Sequence, residues 1–329
     1  MKRVESLGER KIIDIILKRL EQMPDTPIPF GDDASALDLG DGKLAVIKTD
    51  MLVGKTDVPS RMSQWQAARK AVIMNISDLA AKGAKPIGLL VALGVPRHFT
   101  EKNIKEIADG LNAGAREYGT YVLGGDTNEA SDLVISCAAF GTADRKALML
   151  RDGSKPGDIV AVTGSFGRTS AGLRILLGHA SCPARLRKKL VDSVLMPKAR
   201  LNEGLTLAET GAITASIDSS DGLAWSLHEL SRASNVGFVI DNPPIAEEVA
   251  DFAKAYKVNP IELCLYGGEE YELVVTVKPG LFERASKKVS LIRIGKATTQ
   301  RKLVLKVNTR SVPIKARGWE HFKTALSKS

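Results

Sequence analysis

Two α/β domains in tandem are the fold class expected from this chain, and three observations lead there. Strand-like apolar runs alternate with amphipathic helical stretches through the first half. A turn-rich stretch at 151–158 (RDGSKPGD) interrupts that alternation, and a new strand follows at once. With 329 residues, 44% hydrophobic and 26% charged, the chain has a globular composition and enough length for two cores. The boundary is expected after residue 148, giving domains 1–148 and 149–329.

In the first half, 7–20 places Ile13, Ile16, Leu17 and Leu20 at helical packing spacing. KLAVIKT (43–49) reads as a strand ending at Asp50. The stretch 63–82 reads as a long helix packing through Ala67, Ala71, Met74 and Leu79. A buried strand is expected at 86–94. Thr100 is placed as the N-cap of a helix over 100–118, with Gly119 just beyond its end. Strands follow at 121–123 and 133–140. In the second half, strands are expected at 159–163, 213–217, 237–240 and 271–277. Helices are expected at 169–177 and from near Asp221. The basic run Arg185, Arg187, Lys188 and Lys189 fits one face of a further helix. No short-period repeat or low-complexity segment is visible.

Several functional classes are disfavoured. The net charge of +9 fits either a lysine-rich surface or attraction to polyanions. Aromatics make up only 5% and do not interleave with basic runs, so no nucleic-acid partner is expected. Cys137, Cys182 and Cys264 are far apart and odd in number, which fits a reducing, cytoplasmic setting. The first residues (MKRVESLGERK) lack the apolar core of a signal peptide. The longest apolar run, 86–96, is too short to span a bilayer, so no membrane partner is expected. His98, His179, His228 and His321 form no zinc-binding spacing, and no nucleophile elbow is present. Gly54-Lys55-Thr56 resembles the end of a phosphate-binding loop, but that loop needs a glycine at position 49, which is Thr49.

The acids are more informative. In a basic chain they gather beside small residues at strand ends and helix starts: Asp32 and Asp33, Thr49 and Asp50, Asp78 near Asn75 and Ser77, Asp126 after Gly124 and Gly125, and Asp218 to Asp221. Strand ends are where α/β proteins build sites. Two carboxylates about 4 Å apart repel by roughly 4 kcal/mol at an effective dielectric near 20, and oxygen-only donor sets suit Mg²⁺. Singly, each acid reads equally well as a turn, a helix cap such as Ser220-Asp221, or a surface residue; the set carries the argument. Gly124-Gly125 and Gly164 to Gly167 can aim N–H groups at an anion or form ordinary tight turns. Arg151, beside Asp152-Gly153, can clamp a phosphate or coat the surface.

These segments together resemble the thiamine-monophosphate kinases of the aminoimidazole-ribonucleotide-synthetase-like superfamily. The matching stretches are GDDASAL (31–37), TDMLV (49–53), RKAVIMNISDLAAKGAKP (69–86), YVLGGDTN (121–128), RDGSKPGDIVAVTGSFG (151–167), IDSSDGLAWSLHELS (217–231) and YGGEEYEL (266–273). They occur in the family's order over nearly the whole length. The resemblance implies an N-terminal α/β domain whose strands form a barrel across a homodimer, and a C-terminal α/β domain. It implies ATP and several Mg²⁺ ions, with thiamine monophosphate as acceptor. Asp33, Thr49, Asp50, Asp78, Asp126, Asp218 and Asp221 would hold the metals. Gly125, Asp126, Arg151 and Ser220 would contact ATP, with Asp50, Asp126 and Arg151 as the catalytic set. Glu269 and Trp319 would hold the thiamine moiety.

Three departures stand out. Lys48 replaces a frequent Ser or Thr, which implies either a metal with one ligand fewer or an ammonium in place of a metal's charge. Asp57 stands where many members have a substrate-contacting histidine, and is expected to face the cationic thiazolium. Glu270 stands where Asp is usual. The alternatives are another synthetase of the same superfamily, such as the purine-pathway type, and a non-catalytic basic protein that binds nucleic acid.

Overall fold

The computed structural model describes residues 4–322 apart from 179 and 181, so His179 lies outside the described residues. Five strands form the first sheet: β1 (Ser35–Gly40), β2 (Lys43–Val53), β3 (Lys85–Val95), β4 (Val122–Glu129) and β5 (Val134–Asp144), in the spatial order β1-β2-β5-β3-β4. Only β3 and β4 run parallel. Around them lie α1 (Glu9–Leu17), α2 (Gly54–Asp57), α3 (Gln64–Lys82) and α4 (Glu101–Glu117). The second sheet has seven strands: β6 (Ile159–Val162), β7 (Ile213–Asp218), β8 (Gly237–Ile240), β9 (Leu273–Val277), β10 (Ile292–Thr298), β11 (Leu303–Val307) and β12 (Arg310–Pro313). Their order is β12-β11-β8-β10-β6-β9-β7. The helices of this half are α5 (Arg168–Leu176), α6 (Ala184–Leu195), α7 (Leu201–Thr210), α8 (Leu223–Ser234), α9 (Glu247–Tyr256), α10 (Pro260–Tyr266) and α11 (Phe282–Lys288).

The axis of the molecule is α3. Its first turn is closed by a capping box in which Ser63 accepts from the Gln66 N–H and Gln66 accepts from the Ser63 N–H. Gly83, at φ 65°, ends it in the left-handed region. Between these stops α3 packs against β2, β3 and β5 on one side and against α7 and β7 on the other. One apolar cluster therefore runs from Ile28 through Ile73, Ile76 and Leu79 to Val275 and Val289, joining both halves. Burial at this depth also forces the helix's charged residues, Arg69, Lys70, Asp78 and Lys82, to find partners.

Several elements differ from expectation. The helix at the start is shorter than 7–20 and buries none of its residues; Ile13, Ile16 and Leu20 remain exposed. It is tied on instead by Arg10, whose guanidinium stacks 3.6 Å from the Trp225 ring. Strand β2 does not stop at Asp50 but runs on to Val53, so Asp50 lies inside a ladder. β3 is not buried on both faces: Leu89 and Val91 face the core while Ile87 and Leu90 face outward. β4 extends through Gly124, Gly125 and Asp126, which are therefore strand residues and not a turn after one. A Cβ on Gly125 would lie 1.8 Å from the Val91 carbonyl oxygen, so this glycine permits close strand approach. The helix near Asp221 begins at Leu223 with Gly222 as N-cap, so Ser220 and Asp221 do not cap it. The expected strand at 271 starts at Leu273, leaving Tyr271 in a bend at φ 52°.

Candidate active site

The site is built along one stripe of α3. Lys70, Met74, Asp78 and Lys82 are four residues apart and share a face. At 1.5 Å per residue, Lys70 and Lys82 stand about 18 Å apart along the helix. Three charged groups on that stripe organise three neighbouring clusters.

Asp78 is at the centre. Oxygens of Asp33, Asp78 and Asp218 all lie within 4.8 Å of one another, and all three residues are buried. Asp33 comes from the loop before β1, Asp78 from α3 and Asp218 from the end of β7. Ser77 donates to Asp218 Oδ2 at 2.8 Å and Ser220 to Asp218 Oδ1 at 3.3 Å. Burial, with Asp33 nearby, pushes the Asp218 carboxyl up to about 7. Burial also raises Asp78 well above the carboxylate range, although Lys48 pulls it down. Asp33 goes the other way: against its burial, Arg151 and Lys82 hold it at about 2.

Cations enter from two sides. Lys82 lies 2.5 Å from Asp32 Oδ1 and 2.8 Å from Asp33 Oδ2. Arg151 donates to Asp33 through both Nε, at 3.0 Å, and a terminal nitrogen, and to the Gly31 carbonyl at 2.8 Å. Across the triad, Lys48 places its ammonium 2.9 Å from Asp78 Oδ2. Burial lowers the Lys48 pKa, but Asp78 and Asp50 outweigh it and the net shift is upward.

The strand register divides the predicted ligands between two faces. Asp50 pairs with Cys137, and Cys137 with Val91, a row facing α3. Burial, together with the Asp50 charge, pushes the Cys137 thiol up to about 12, so it is an inert packing group. Thr49 belongs to the next row, with Ala138, Leu90 and Gly124; Asp126 shares its row with Met51, Ser136 and Ala92. Side chains alternate along a strand, so Thr49 and Asp126 project from the outer face, opposite Asp50 and the triad. Asp126 is also three strand spacings from Asp50, about 14 Å. Within one chain, Thr49 and Asp126 do not join Asp33, Asp78 and Asp218.

At the other end of the stripe, Lys70 is almost wholly buried. Its ammonium donates to the Asp57 carbonyl at 2.9 Å and is paired with the Glu269 carboxylate. This lysine brings Asp57 and Glu269 together. One oxygen of the Asp57 carboxylate accepts from the Val53 N–H at 2.7 Å. Glu269 sits at φ 64°, and its N–H is held by the Ser220 carbonyl at 2.6 Å. A left-handed residue of this kind costs about 1 kcal/mol or more, and the contacts to Lys70 and Ser220 offset it. Tyr271 lies beneath; burial first, then Glu269, Asp50, Asp218 and Asp57, raise its phenol well above 10. Trp319, 45% exposed, is anchored by its N–H to the Asp221 carbonyl at 3.0 Å. The Asp221 side chain is held by Arg10 at 3.2 Å.

The glycine-rich turn before α5 is already satisfied. Glu270 Oε1 accepts the Gly167 N–H at 2.6 Å and the Thr169 N–H at 3.2 Å. A Cβ on Gly164 would meet the Glu272 carboxylate at 2.3 Å. The Gly167 and Thr169 amides thus hold the chain's own Glu270, and these two N–H groups are not free for an outside anion. The Gly54-Lys55-Thr56 stretch likewise spends its N–H groups on Leu133 and Asp132.

Sequence reasoning did not single out Lys70, Lys82 or Tyr271. Lys70 and Lys82, set on the same helix as the apolar packing residues Ala67, Ala71, Met74 and Leu79, were the available signal.

The site and fold meet known proteins over nearly the whole chain. Residues 31–143 match the N-terminal domain of AIR synthase related proteins, and residues 155–308 match the C-terminal domain. The Pyrococcus horikoshii thiamine-monophosphate kinase is 39% identical over 296 residues, covering 89% of this chain and 91% of that protein. The Nitrosopumilus maritimus thiamine-monophosphate kinase is 36% identical over 283 residues, covering 84% of this chain and 89% of that one. A solved structure of AaThiL complexed with AMPPCP and TMP superposes with a TM-score of 0.85 at 27% identity, covering 98% of this chain and 99% of that chain. Two AIR synthase related domains in tandem thus define the class of protein. The chain belongs to the thiamine-monophosphate kinase family. Among the described residues, no helix is long and apolar enough to cross a membrane.

Proposed function

We propose that this chain transfers the terminal phosphoryl group of ATP directly to the phosphate of thiamine monophosphate, giving thiamine diphosphate and ADP, with Mg²⁺ held by the acid cluster. The observation that carries this reading is the convergence of Asp33, Asp78 and Asp218 within 4.8 Å. The residues fit a hard cation: the donors are all oxygens, two of the three carboxyls are pushed upward by burial and one another, and the Ser219 hydroxyl beside them is buried without a protein partner. Asp33, Asp78 and Asp218 would hold Mg²⁺, which when bound would offset the negative charge of the phosphates.

The remaining work falls to the protein. The acceptor phosphate has a second pKa near 6, so it is largely ionised at neutral pH and needs no strong base. The absence of histidine from the cluster agrees with that. Arg151 orients Asp33 and would lend its positive charge to phosphates bound beside that carboxylate. Lys70 holds Glu269 and Asp57 about 12 Å from Asp78 along α3, where two carboxylates would face the cationic thiazolium. Trp319 would stack on the rings there.

Thr49 and Asp126 require a second copy. The outer face of the first sheet exposes Leu37, Met51, Leu90 and Leu123 together with these two polar residues. A contiguous apolar face of this kind marks an association surface. In a homodimer closed through it, Asp126 of one copy would approach Thr49 of the other.

The test is direct. Purified protein is incubated with ATP, thiamine monophosphate and Mg²⁺, and the products are weighed by mass spectrometry. Thiamine diphosphate and ADP should appear in equal amounts, vanish with chelator, and be lost in Asp50→Ala. ADP without thiamine diphosphate would mean the acceptor is wrong.

A further inference from the structure

Alternation along β2 turns Lys48 and Asp50 to the same side, toward α3. There the Lys48 ammonium is 2.9 Å from Asp78 Oδ2, and that carboxylate belongs to the triad. The other two cations of the cluster are committed elsewhere: Lys82 to Asp32 and Asp33, Arg151 to Asp33 and the Gly31 carbonyl. Lys48 is thus the positive group that serves Asp78. Its side chain is 22% exposed and that of Asp78 is 8% exposed, so solvent screens the pair weakly.

We propose that Lys48 is a resident cation that fills one of the charge positions of the cluster, so that this chain binds one divalent ion fewer than its carboxylates would otherwise take up. This rests on reading the triad as a divalent-cation site. The physical grounds are charge and contact. An ammonium brings one positive charge on a covalent tether and needs no free ion to be present. A divalent ion would sit about 2.1 Å from the same oxygen, in space that the ammonium occupies. With Lys48 in place, Asp78 is neutralised before any metal arrives. The metals that do bind are then left to the oxygens of Asp33 and Asp218, the other two members of the triad. The metal-free fold is held together at a point where like charges would otherwise separate α3 from β2.

The experiment compares wild type with Lys48→Ser, Lys48→Met and Lys48→Arg. Bound Mn²⁺ per chain is counted by the loss of the free-ion electron-paramagnetic-resonance signal, and thermal unfolding is followed with and without saturating Mg²⁺. Lys48→Ser and Lys48→Met should each bind one more Mn²⁺ per chain than wild type. Without metal their Tm should fall by roughly 5 °C, and Mg²⁺ should close most of that gap. Lys48→Arg should keep the wild-type count. Equal Mn²⁺ counts in all four proteins, with a Tm gap that Mg²⁺ leaves unchanged, would overturn the role of Lys48 and leave the triad as a metal site. A wild type that takes up no Mn²⁺ would overturn both. If Lys48→Ser and Lys48→Met are insoluble without metal, refolding in Mg²⁺ should recover them; failure to recover either one counts against the proposal.

Discussion

Acids gather at two places in this molecule and do different things. Around α3, Asp33, Asp78 and Asp218 turn their oxygens toward one another, within 4.8 Å. Around the turn before α5, Glu270 and Glu272 turn theirs toward donors: two backbone N–H groups for Glu270, Thr163 and Arg200 for Glu272. Burial alone does not separate the two places, because it pushes both Asp218 and Glu270 up to about 7. Convergence separates them. At the first, Asp32, Asp33, Asp50, Asp78 and Asp218 outnumber Lys48, Lys82 and Arg151, so these carboxyls can all be ionised together only with a counter-ion from outside. At the second, the fold supplies every partner itself. A carboxylate-rich motif is a site only where the fold leaves its demand for positive charge unmet.

Three experiments bear on that contrast. Asp218→Asn removes a converging oxygen charge and should cut the rate of thiamine diphosphate formation by about a thousandfold, measured as kcat at saturating substrates, while the protein stays folded. Arg200→Met strikes the other region. It leaves the Glu272 carboxylate, 6% exposed, without its bidentate partner at 2.5 and 2.7 Å. Stability by urea unfolding should fall by about 3 kcal/mol, with the number of bound metals unchanged. The smallest effect is on pH. Asp218 must give up its proton to bind a metal, so apparent Mg²⁺ affinity should be flat above about pH 7 and fall about tenfold per unit below it. The sign for stability is opposite. A carboxyl raised from 3.8 to about 7 in the fold contributes stability that is fully present below pH 3.8 and lost as pH rises to 7. Metal-free unfolding curves should show this slope, and Asp218→Asn should flatten it.

Much of this was legible beforehand. The N-cap of α4 was legible at Thr100, because side-chain caps are local chemistry, and the span of α3 was legible as 63–82. Asp33, Asp78 and Asp218 were legible as members of a larger set of acids beside small residues, although Asp78 lies inside α3 and the set also held Thr49 and Asp126, which face the other way. Which face a strand residue occupies was not legible. Thr49 and Asp50 are adjacent, yet a single step in a strand turns them to opposite sides, and only the register with β5, β3 and β4 shows that Asp126 goes with Thr49. The role of the glycine-rich turn was also hidden, since its N–H groups are taken by Glu270, about a hundred residues away in the chain. Ile13, Ile16 and Leu20 have helical spacing and still remain exposed. Periodicity identifies a helix face without saying what covers it.

The most direct measurement is a crystal of the protein soaked in Mn²⁺, with anomalous scattering collected at the manganese edge. Peaks should lie about 2.2 Å from oxygens of Asp33 and Asp218, with none at Glu270 or Glu272. A triad without a peak, or a peak at the turn before α5, would contradict the distinction between acids that converge and acids that the fold has already satisfied.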